Sequence, residues 1–169
     1  MTTFDEINNI LHEDFKCKNF VFEEETNGMK VEIDNSGCKC AIYKYDKNLN
    51  KQYKGGLFPF FAKTKGVCSI SDYIVFAEKN HKLYCLLVEL KRGRSSTLPQ
   101  LKASKEFVKF IINTLNRVYN KSYSPIIRLI SIHEIRLRKK STQERMIKYD
   151  ENSHHDVKSN KFIIKYFLI

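Results

Sequence analysis

Two acidic residues and one lysine in the middle of the chain have types and a spacing that could support catalysis: Asp72, Glu89 and Lys91. Asp72 lies near the start of one predicted strand, and Glu89 and Lys91 lie near the end of the next. If these strands form an antiparallel hairpin, the three positions fall at the same, exposed end of the sheet. Side chains alternate along a strand, so Glu89 and Lys91 share a face. The sequence therefore predicts two carboxylates and an amine clustered beside an apolar strand pair.

Such a cluster has the composition of a divalent-metal site. Two neighbouring carboxylates repel each other, and a cation removes the repulsion. Asp72, Glu89 and the backbone carbonyl of Leu90 would offer hard oxygen ligands of the kind that Mg²⁺ uses, with waters and a substrate phosphate completing the shell. The metal would activate a water and neutralise charge on the phosphate. Lys91 could orient or deprotonate that water, or stabilise the transition state.

A purely structural interpretation uses the same residues. Glu89 and Lys91 could form an ion pair at a strand end, with Asp72 capping a turn. A Glu-x-Lys spacing occurs often by chance, but an Asp upstream on the partner strand and a helix downstream make the pattern more specific.

The order of elements that would position these residues can be read from the hydrophobic pattern. Residues 69–78 and 82–91 predict the hairpin, with Lys79-Asn80-His81 as its turn and the second strand apolar on both faces. A capping segment with Pro99 opens a long helix that runs to about Tyr119. A strand over residues 126–132 follows, so a crossover with parallel pairing is expected.

The flanking segments are also assigned. The spacing of apolar residues predicts a helix over residues 3–15. Further strands are predicted at 19–25 and 29–34, around the turn signal Thr26-Asn27-Gly28, and at 40–45. Residues 46–56 are polar and are expected to form a loop, and Pro59 argues against a central strand at 57–61. Ser141-Thr142-Gln143-Glu144 resembles a capping box, and residues 161–169 form a closing strand.

These residues and this order carry a resemblance to a known family. Ser71-Asp72, sixteen intervening residues and Glu89-Leu90-Lys91 resemble the motif of the PD-(D/E)xK nuclease superfamily, with Ser71 in place of proline. The resemblance implies the restriction-endonuclease-like fold, an α/β class with a mixed central sheet flanked by helices in an α-β-β-β-α-β core. Here an extra N-terminal β meander would be added. It also implies that Asp72 and Glu89 bind Mg²⁺ or Mn²⁺ and that Lys91 is the catalytic lysine.

Two further site residues follow from the family pattern. Many members carry another glutamate on the first helix. Glu6 and Glu13 lie on nearly the same side of that predicted helix, Asp14 lies closer to its apolar face, and Glu6 is the favoured metal ligand. Some exonuclease branches carry Gln and, four residues later, Tyr on the helix after the motif. Gln100 fits this pattern and Ser104 departs from it, so Gln100 is either a site residue or an exposed polar residue of the helix.

Charge points to a polyanionic partner. The net charge of the chain is +11. Residues 1–90 carry 12 Lys against 13 acidic residues, and residues 91–169 carry 18 Lys or Arg against 6 acidic residues, so the second part holds +12. A Lys-rich solvated surface would give the same composition. The residues expected to contact a nucleic-acid backbone are Arg92, Arg94, Lys102, Lys105 and Lys109, with Arg136, Arg138, Lys139 and Lys140 beyond them.

Length and composition set the remaining expectations. A chain of 169 residues suits a single domain spanning 1–169. The first residues lack a signal-peptide pattern and no apolar run could span a membrane, so a cytoplasmic protein is expected. Cys38 and Cys40 could supply two zinc ligands, but no second pair lies nearby in sequence, so the five cysteines are expected to be small buried hydrophobes.

Together these patterns predict a metal-dependent nuclease, with DNA favoured over RNA because most relatives with this motif cut DNA. Host defence, mobile elements and repair would all fit. No separate sequence-reading segment is evident, so specificity would come from a homodimer or a partner protein. The alternatives are a catalytically silent nucleic-acid-binding module of the same fold and an RNA endonuclease.

Overall fold

A computed structural model of the chain describes residues 1–24, 28–45, 58–62, 64–93, 96–134 and 147–169. The helices in these ranges are α1 (Thr3–Ile10) and α2 (Leu98–Tyr119). The strands are β1 (Val21–Glu24), β2 (Met29–Asp34), β3 (Lys39–Lys44), β4 (Tyr73–Lys79), β5 (Lys82–Lys91), β6 (Ile126–His133), β7 (His154–Val157) and β8 (Lys161–Ile163). Short 3₁₀ turns span Glu13–Phe15 and Ile164–Phe167.

A mixed five-stranded sheet, in the order β3-β4-β5-β6-β7, forms the centre of the structure. Neighbours β3, β4 and β5 are antiparallel, whereas β5, β6 and β7 are parallel. The predicted hairpin is confirmed: Asn80 and His81 both adopt positive φ, at 50° and 58°, which matches the right-handed twist of the flanking strands. The parallel pairing of β5 with β6 after the long helix is also confirmed.

Each face of this sheet is covered by a different layer. On one face, Ile7 of α1 and Leu101 and Leu115 of α2 pack against alternate strand residues such as Phe76 and Leu87. The opposite face is covered by a three-stranded sheet, in the order β1-β2-β8, and by the C-terminal 3₁₀ turn. The expectation of helices flanking the sheet is therefore met on one face of the described part of the chain.

The three N-terminal strands, β1, β2 and β3, do not all belong to the central sheet. The antiparallel pairing of β1 with β2 is as predicted, but β2 then pairs in parallel with β8 rather than with β3. β3 instead forms an edge of the central sheet. The sequence does not indicate which sheet each strand joins, because the three strands are only four to six residues long.

Several predicted bounds are wrong. The helix predicted over 3–15 ends at Ile10, where Leu11 turns to an extended conformation and His12 caps a separate 3₁₀ turn. β4 begins at Tyr73 instead of residue 69. The closing strand predicted over 161–169 is three residues long and continues as a 3₁₀ turn. The predicted capping box at 141–144 lies outside the described residues.

Helix hydropathy and cysteine burial bear on two further predictions. None of the helices in the described ranges is long and apolar enough to cross a membrane. All five cysteines are free thiols, but only Cys85 is buried, Cys68 is exposed, and the other three are half-buried against the core. The prediction of small buried hydrophobes is therefore right for Cys85 alone.

Candidate active site

Asp72 and the Glu89–Leu90 segment are joined by reciprocal hydrogen bonds at the open end of the β4–β5 hairpin. The backbone N–H of Leu90 donates to Oδ2 of Asp72 at 2.6 Å, and the backbone N–H of Asp72 donates to Oε2 of Glu89 at 3.3 Å. Strand pairing stops at Tyr73 and Val88, so the Asp72 side chain takes the place of the next strand partner. The two carboxylates predicted to share one end of the sheet are thus brought together.

Both carboxylates are buried, whereas the sequence placed them at an exposed sheet end. Asp72 is 6% exposed and Glu89 is 4% exposed. Neighbouring residues on β5 show why, since Leu87 belongs to the core beneath the helices and Glu89 lies on the same face, two residues on. Placing two carboxylates there in charged form costs free energy unless hydrogen bonds, cations or a metal compensate.

The Leu90 backbone and the Lys91 side chain border this pair. The N–H and C=O of a strand residue point towards the same neighbouring strand, so the Leu90 carbonyl lies on the side of Asp72. Lys91 shares the helix-covered face with Glu89 and is half-buried. Within the described residues, the Lys91 amine has no hydrogen bond or ion pair.

The first turns of α2 lie over the cluster. The side chain of Ser104 accepts a hydrogen bond from the backbone N–H of Ser71, the residue before Asp72. Gln100 precedes Ser104 by four residues, which places it on the same side of the helix and one turn closer to its N-terminus. Gln100 is half-buried there, in a position that suits a site role. Ser104, which departs from the family pattern, supports the backbone of the site.

Glu6 is not part of this cluster. Its carboxylate accepts a hydrogen bond from the hydroxyl of Tyr123 at 2.8 Å and lies 3.7 Å from the Lys121 amine. Tyr123 precedes β6, whose first residue pairs with Tyr84. Tyr84 is five residues before Glu89, or roughly 17 Å along the strand. The expectation that Glu6 is a metal ligand is therefore corrected, because the fold directs this carboxylate to the other end of the sheet. The alternatives Glu13 and Asp14 lie in the separate 3₁₀ turn.

A group of polar residues on β6 and β7 extends the site in a way that the sequence did not predict. Ser131 pairs in register with Glu89 and is fully buried. Its hydroxyl shares hydrogen bonds with Thr97 at the start of α2 and with Nε2 of His154 on β7, the latter at 2.7 Å. In the sequence, the indication of this polar group was the serine inside the apolar run of β6.

A second polar pair lies one step further along these strands. His133 pairs in register with Lys91, and its Nε2 lies 3.0 Å from Oδ1 of Asp156 on β7. β7 itself was missed because His154-His155-Asp156-Val157 lacks the apolar alternation that marks a strand. The edge of the sheet beside Lys91 is therefore lined with imidazole, hydroxyl and carboxylate groups.

The residues predicted to contact phosphates differ in their exposure and in their ion-pair partners. Arg92 forms a bidentate ion pair with Glu134, with both N–O distances at 2.7 Å, and this pairing raises the pKa of its guanidinium. Its expected role as a phosphate ligand stays a prediction, since Glu134 engages two of the five N–H donors of an exposed guanidinium. Lys102 and Lys109 are exposed, Lys105 is half-buried, and Lys109 pairs with Glu106. Arg94, Arg136, Arg138, Lys139 and Lys140 lie outside the described residues.

The carboxylate oxygens of Asp72 and Glu89 are ligands of the type that a hard divalent cation binds, but two carboxylates supply only a small number of ligands. Each carboxylate offers about four lone-pair directions, and each accepts a hydrogen bond from a backbone N–H. Among the described residues, no group of three or more His, Cys, Asp or Glu side chains is arranged to hold a metal. A bound Mg²⁺ would accordingly take its remaining ligands from backbone carbonyl, water and substrate oxygens, as this ion commonly does.

Comparison with known proteins found no matching family model, no matching curated protein and no matching solved structure.

Proposed function

We propose that this chain is a metal-dependent nuclease of the PD-(D/E)xK type that hydrolyses phosphodiester bonds in DNA. One observation carries the proposal: the reciprocal hydrogen bonds between Asp72 and the Glu89–Leu90 segment hold two carboxylates at one point. Burying two carboxylates in charged form side by side costs free energy. A divalent cation would compensate both charges.

The residues divide the work as follows. Asp72, Glu89 and the Leu90 carbonyl would hold Mg²⁺ or Mn²⁺, which supplies charge neutralisation and a more acidic water. Lys91, on the same face, would orient or deprotonate that water or stabilise charge on the phosphate. The backbone N–H bonds to both carboxylates fix their oxygens in advance, which lowers the reorganisation needed during the reaction.

The order of elements supports the same family. When β1 and β2 are left aside, the elements follow one another along the chain in the order α-β-β-β-α-β, formed by α1, β3, β4, β5, α2 and β6. The four strands of this series belong to one mixed sheet. Asp72 precedes the second of these strands and Glu89-Leu90-Lys91 ends the third, as the motif requires. The three-stranded sheet on the second face is a departure from the expected flanking helix.

A second candidate is favoured by the burial of the site. At 4–6% exposure, Asp72 and Glu89 could be structural residues of a catalytically silent nucleic-acid-binding module of the same fold. Hydrolysis of RNA rather than DNA is a variant of the first proposal. In either case, specificity would come from a homodimer or partner protein, and the proposed location remains the cytoplasm.

The test is metal-dependent cleavage. Purified protein is incubated with linear and supercoiled DNA in Mg²⁺, in Mn²⁺ and in EDTA, with an RNA of the same sequence alongside. We expect DNA cleavage with either metal and none in EDTA. Undiminished cleavage in EDTA contradicts the two-carboxylate mechanism, and binding without cleavage under every condition favours the silent module.

A further inference from the structure

A set of aromatic side chains leads from the core to the surface beside the candidate active site. Phe15 and Tyr45 are buried and stacked, with ring centroids 4.8 Å apart. Tyr45 contacts Phe107 of α2 edge to face at 5.2 Å, and Phe107 contacts Phe58 at 5.3 Å in the same geometry. The side chains are therefore continuous from the interior to the segment around Phe58.

The outer end of this set is open to solvent. Phe60 is 75% exposed and Phe61 is 49% exposed, and their ring centroids lie 4.6 Å apart. A turn closed by the Phe61 N–H and the Phe58 carbonyl holds them, and Phe58 contacts both rings. Two adjacent exposed phenylalanines anchored on a buried set differ from the single exposed hydrophobes found on most surfaces.

This exposed pair, Phe60 and Phe61, is connected through the rings of Phe58, Phe107 and Tyr45 to the strand end that carries Asp72. Lys44 pairs with Tyr73 in the register of β3 and β4, so Tyr45 and Asp72 follow side by side. Phe107, which contacts both Tyr45 and Phe58, is three residues after Ser104 on α2, a rise of about 4.5 Å. Ser104 in turn holds the backbone of Ser71, next to Asp72. A strand of substrate bound at the carboxylates could therefore extend to these rings.

We propose that Phe60 and Phe61 form a stacking platform for unpaired bases, and that the substrate is single-stranded DNA. The assignment rests on the proposed nuclease function for its choice of polymer. Only an unpaired base offers its flat face to an aromatic ring, because the bases of a duplex are stacked on one another. The chain charge of +11 attracts such a polyanion and opposes the burial of the same patch against a second copy of the chain.

The experiment measures binding in EDTA, so that cleavage plays no part. Fluorescence anisotropy gives Kd for a labelled single-stranded DNA, its annealed duplex and the RNA of the same sequence. We expect Phe60→Ala and Phe61→Ala each to weaken single-strand binding about fivefold or more, with duplex binding changed by less than about twofold. Phe60→Tyr should keep the affinity and Phe60→Leu should lose it, which separates stacking from simple apolar contact.

Phe20→Ala is the matched control. Phe20 is 47% exposed but precedes β1, in the layer on the other face of the central sheet. The Phe20→Ala variant should bind single-stranded DNA and duplex DNA with unchanged affinities. Thermal melting of every variant shows that each is folded, which is expected because the replaced rings are exposed.

Three results overturn the platform: equal losses on single strand and duplex, no loss on either, or a loss on RNA alone. A wild-type dimer that dissociates in Phe60→Ala, measured by sedimentation, assigns the patch to self-association instead. Failure here is distinct from failure of the nuclease proposal, since a protein that never cleaves DNA can still show the selective loss of binding.

Discussion

At the scale of single residues, backbone N–H groups organise the acidic pair. The Asp72 carboxylate accepts from Leu90, so truncation to alanine would leave a buried N–H without its partner and cost about 1–3 kcal/mol. Asparagine keeps an acceptor oxygen while removing the charge. Isosteric variants therefore separate chemistry from folding better than alanine variants do.

Lys91 provides the sharpest test at this scale. Lys91→Met should lower the cleavage rate by about 100-fold or more, because a group that handles the attacking water or transition-state charge is lost. Its melting temperature should stay close to that of the wild type, since the amine has no partner within the described residues. The measurement is single-turnover cleavage together with thermal melting.

The control for Lys91 comes from the same strand. Lys82, exposed at the opposite end of β5, should tolerate Lys82→Met with no change in rate. Equal loss of cleavage in both variants would show that general charge, rather than position, matters.

Residue-level prediction succeeded where it depended on local geometry. Asp72 and Glu89 meet because an antiparallel hairpin fixes their register, and that register follows from alternation and a short turn. Glu6 could not be placed in this way, since its partner Tyr123 is more than a hundred residues away in the chain. Ser131 and His154 also meet only through the parallel pairing of β6 with β7.

At the scale of elements, the N-terminal end of α2 is tied to the sheet by side chains. Thr97 is its capping residue, but the Thr97 hydroxyl bonds to Ser131 on β6 rather than to the helix. Ser131 in turn bonds to His154 on the edge strand β7. The buried hydroxyl of Ser131 therefore connects α2, β6 and β7. Ser131 is the residue of β6 that pairs with Glu89 of β5.

This network predicts a stability effect. Ser131→Ala should lower the free energy of unfolding by about 1–3 kcal/mol, because Thr97 and His154 each lose a buried partner. Ser124→Ala, in the exposed segment before β6, should change it by less than about 0.5 kcal/mol. Urea denaturation of both variants measures the difference, and equal effects would show that the network contributes nothing.

Elements with strong patterns were predictable and weakly patterned ones were not. β5 was assigned with its observed bounds because its apolar run ends at charged residues on both sides. α2 was recognised from its cap, its proline and its periodic apolar face, although Val118 is 52% exposed rather than buried. The membership of β1 and β2 in a second sheet depends on β8, whose pairing is long-range.

At the scale of the whole molecule, charge is distributed unequally along the chain. The excess of +12 over residues 91–169 includes the lysines of α2, of which Lys102 and Lys109 are exposed. Such a surface attracts a phosphate backbone over a distance set by ionic strength. Arg92 pairs with Glu134 and Lys109 pairs with Glu106, so Lys102 is the better candidate for these contacts.

This distribution predicts a salt dependence. The logarithm of the DNA association constant should fall linearly with the logarithm of salt concentration, since each neutralised phosphate releases counterions. Lys102→Gln combined with Lys109→Gln should make the slope shallower by up to about 2. Binding titrations in EDTA at several salt concentrations measure it, and an affinity independent of salt would assign the basic surface to another role.

The central claim, that Asp72 and Glu89 act together on a metal, is tested most directly by cleavage of DNA in Mg²⁺ by Asp72→Asn and Glu89→Gln. Each should lose about 100-fold or more in rate while melting near the wild-type temperature, because size and shape are kept while the charge that would bind the metal is removed. Glu32→Gln, at an exposed glutamate of β2, should cleave like the wild type. Full activity in either site variant, measured on the same folded preparations, would contradict the account.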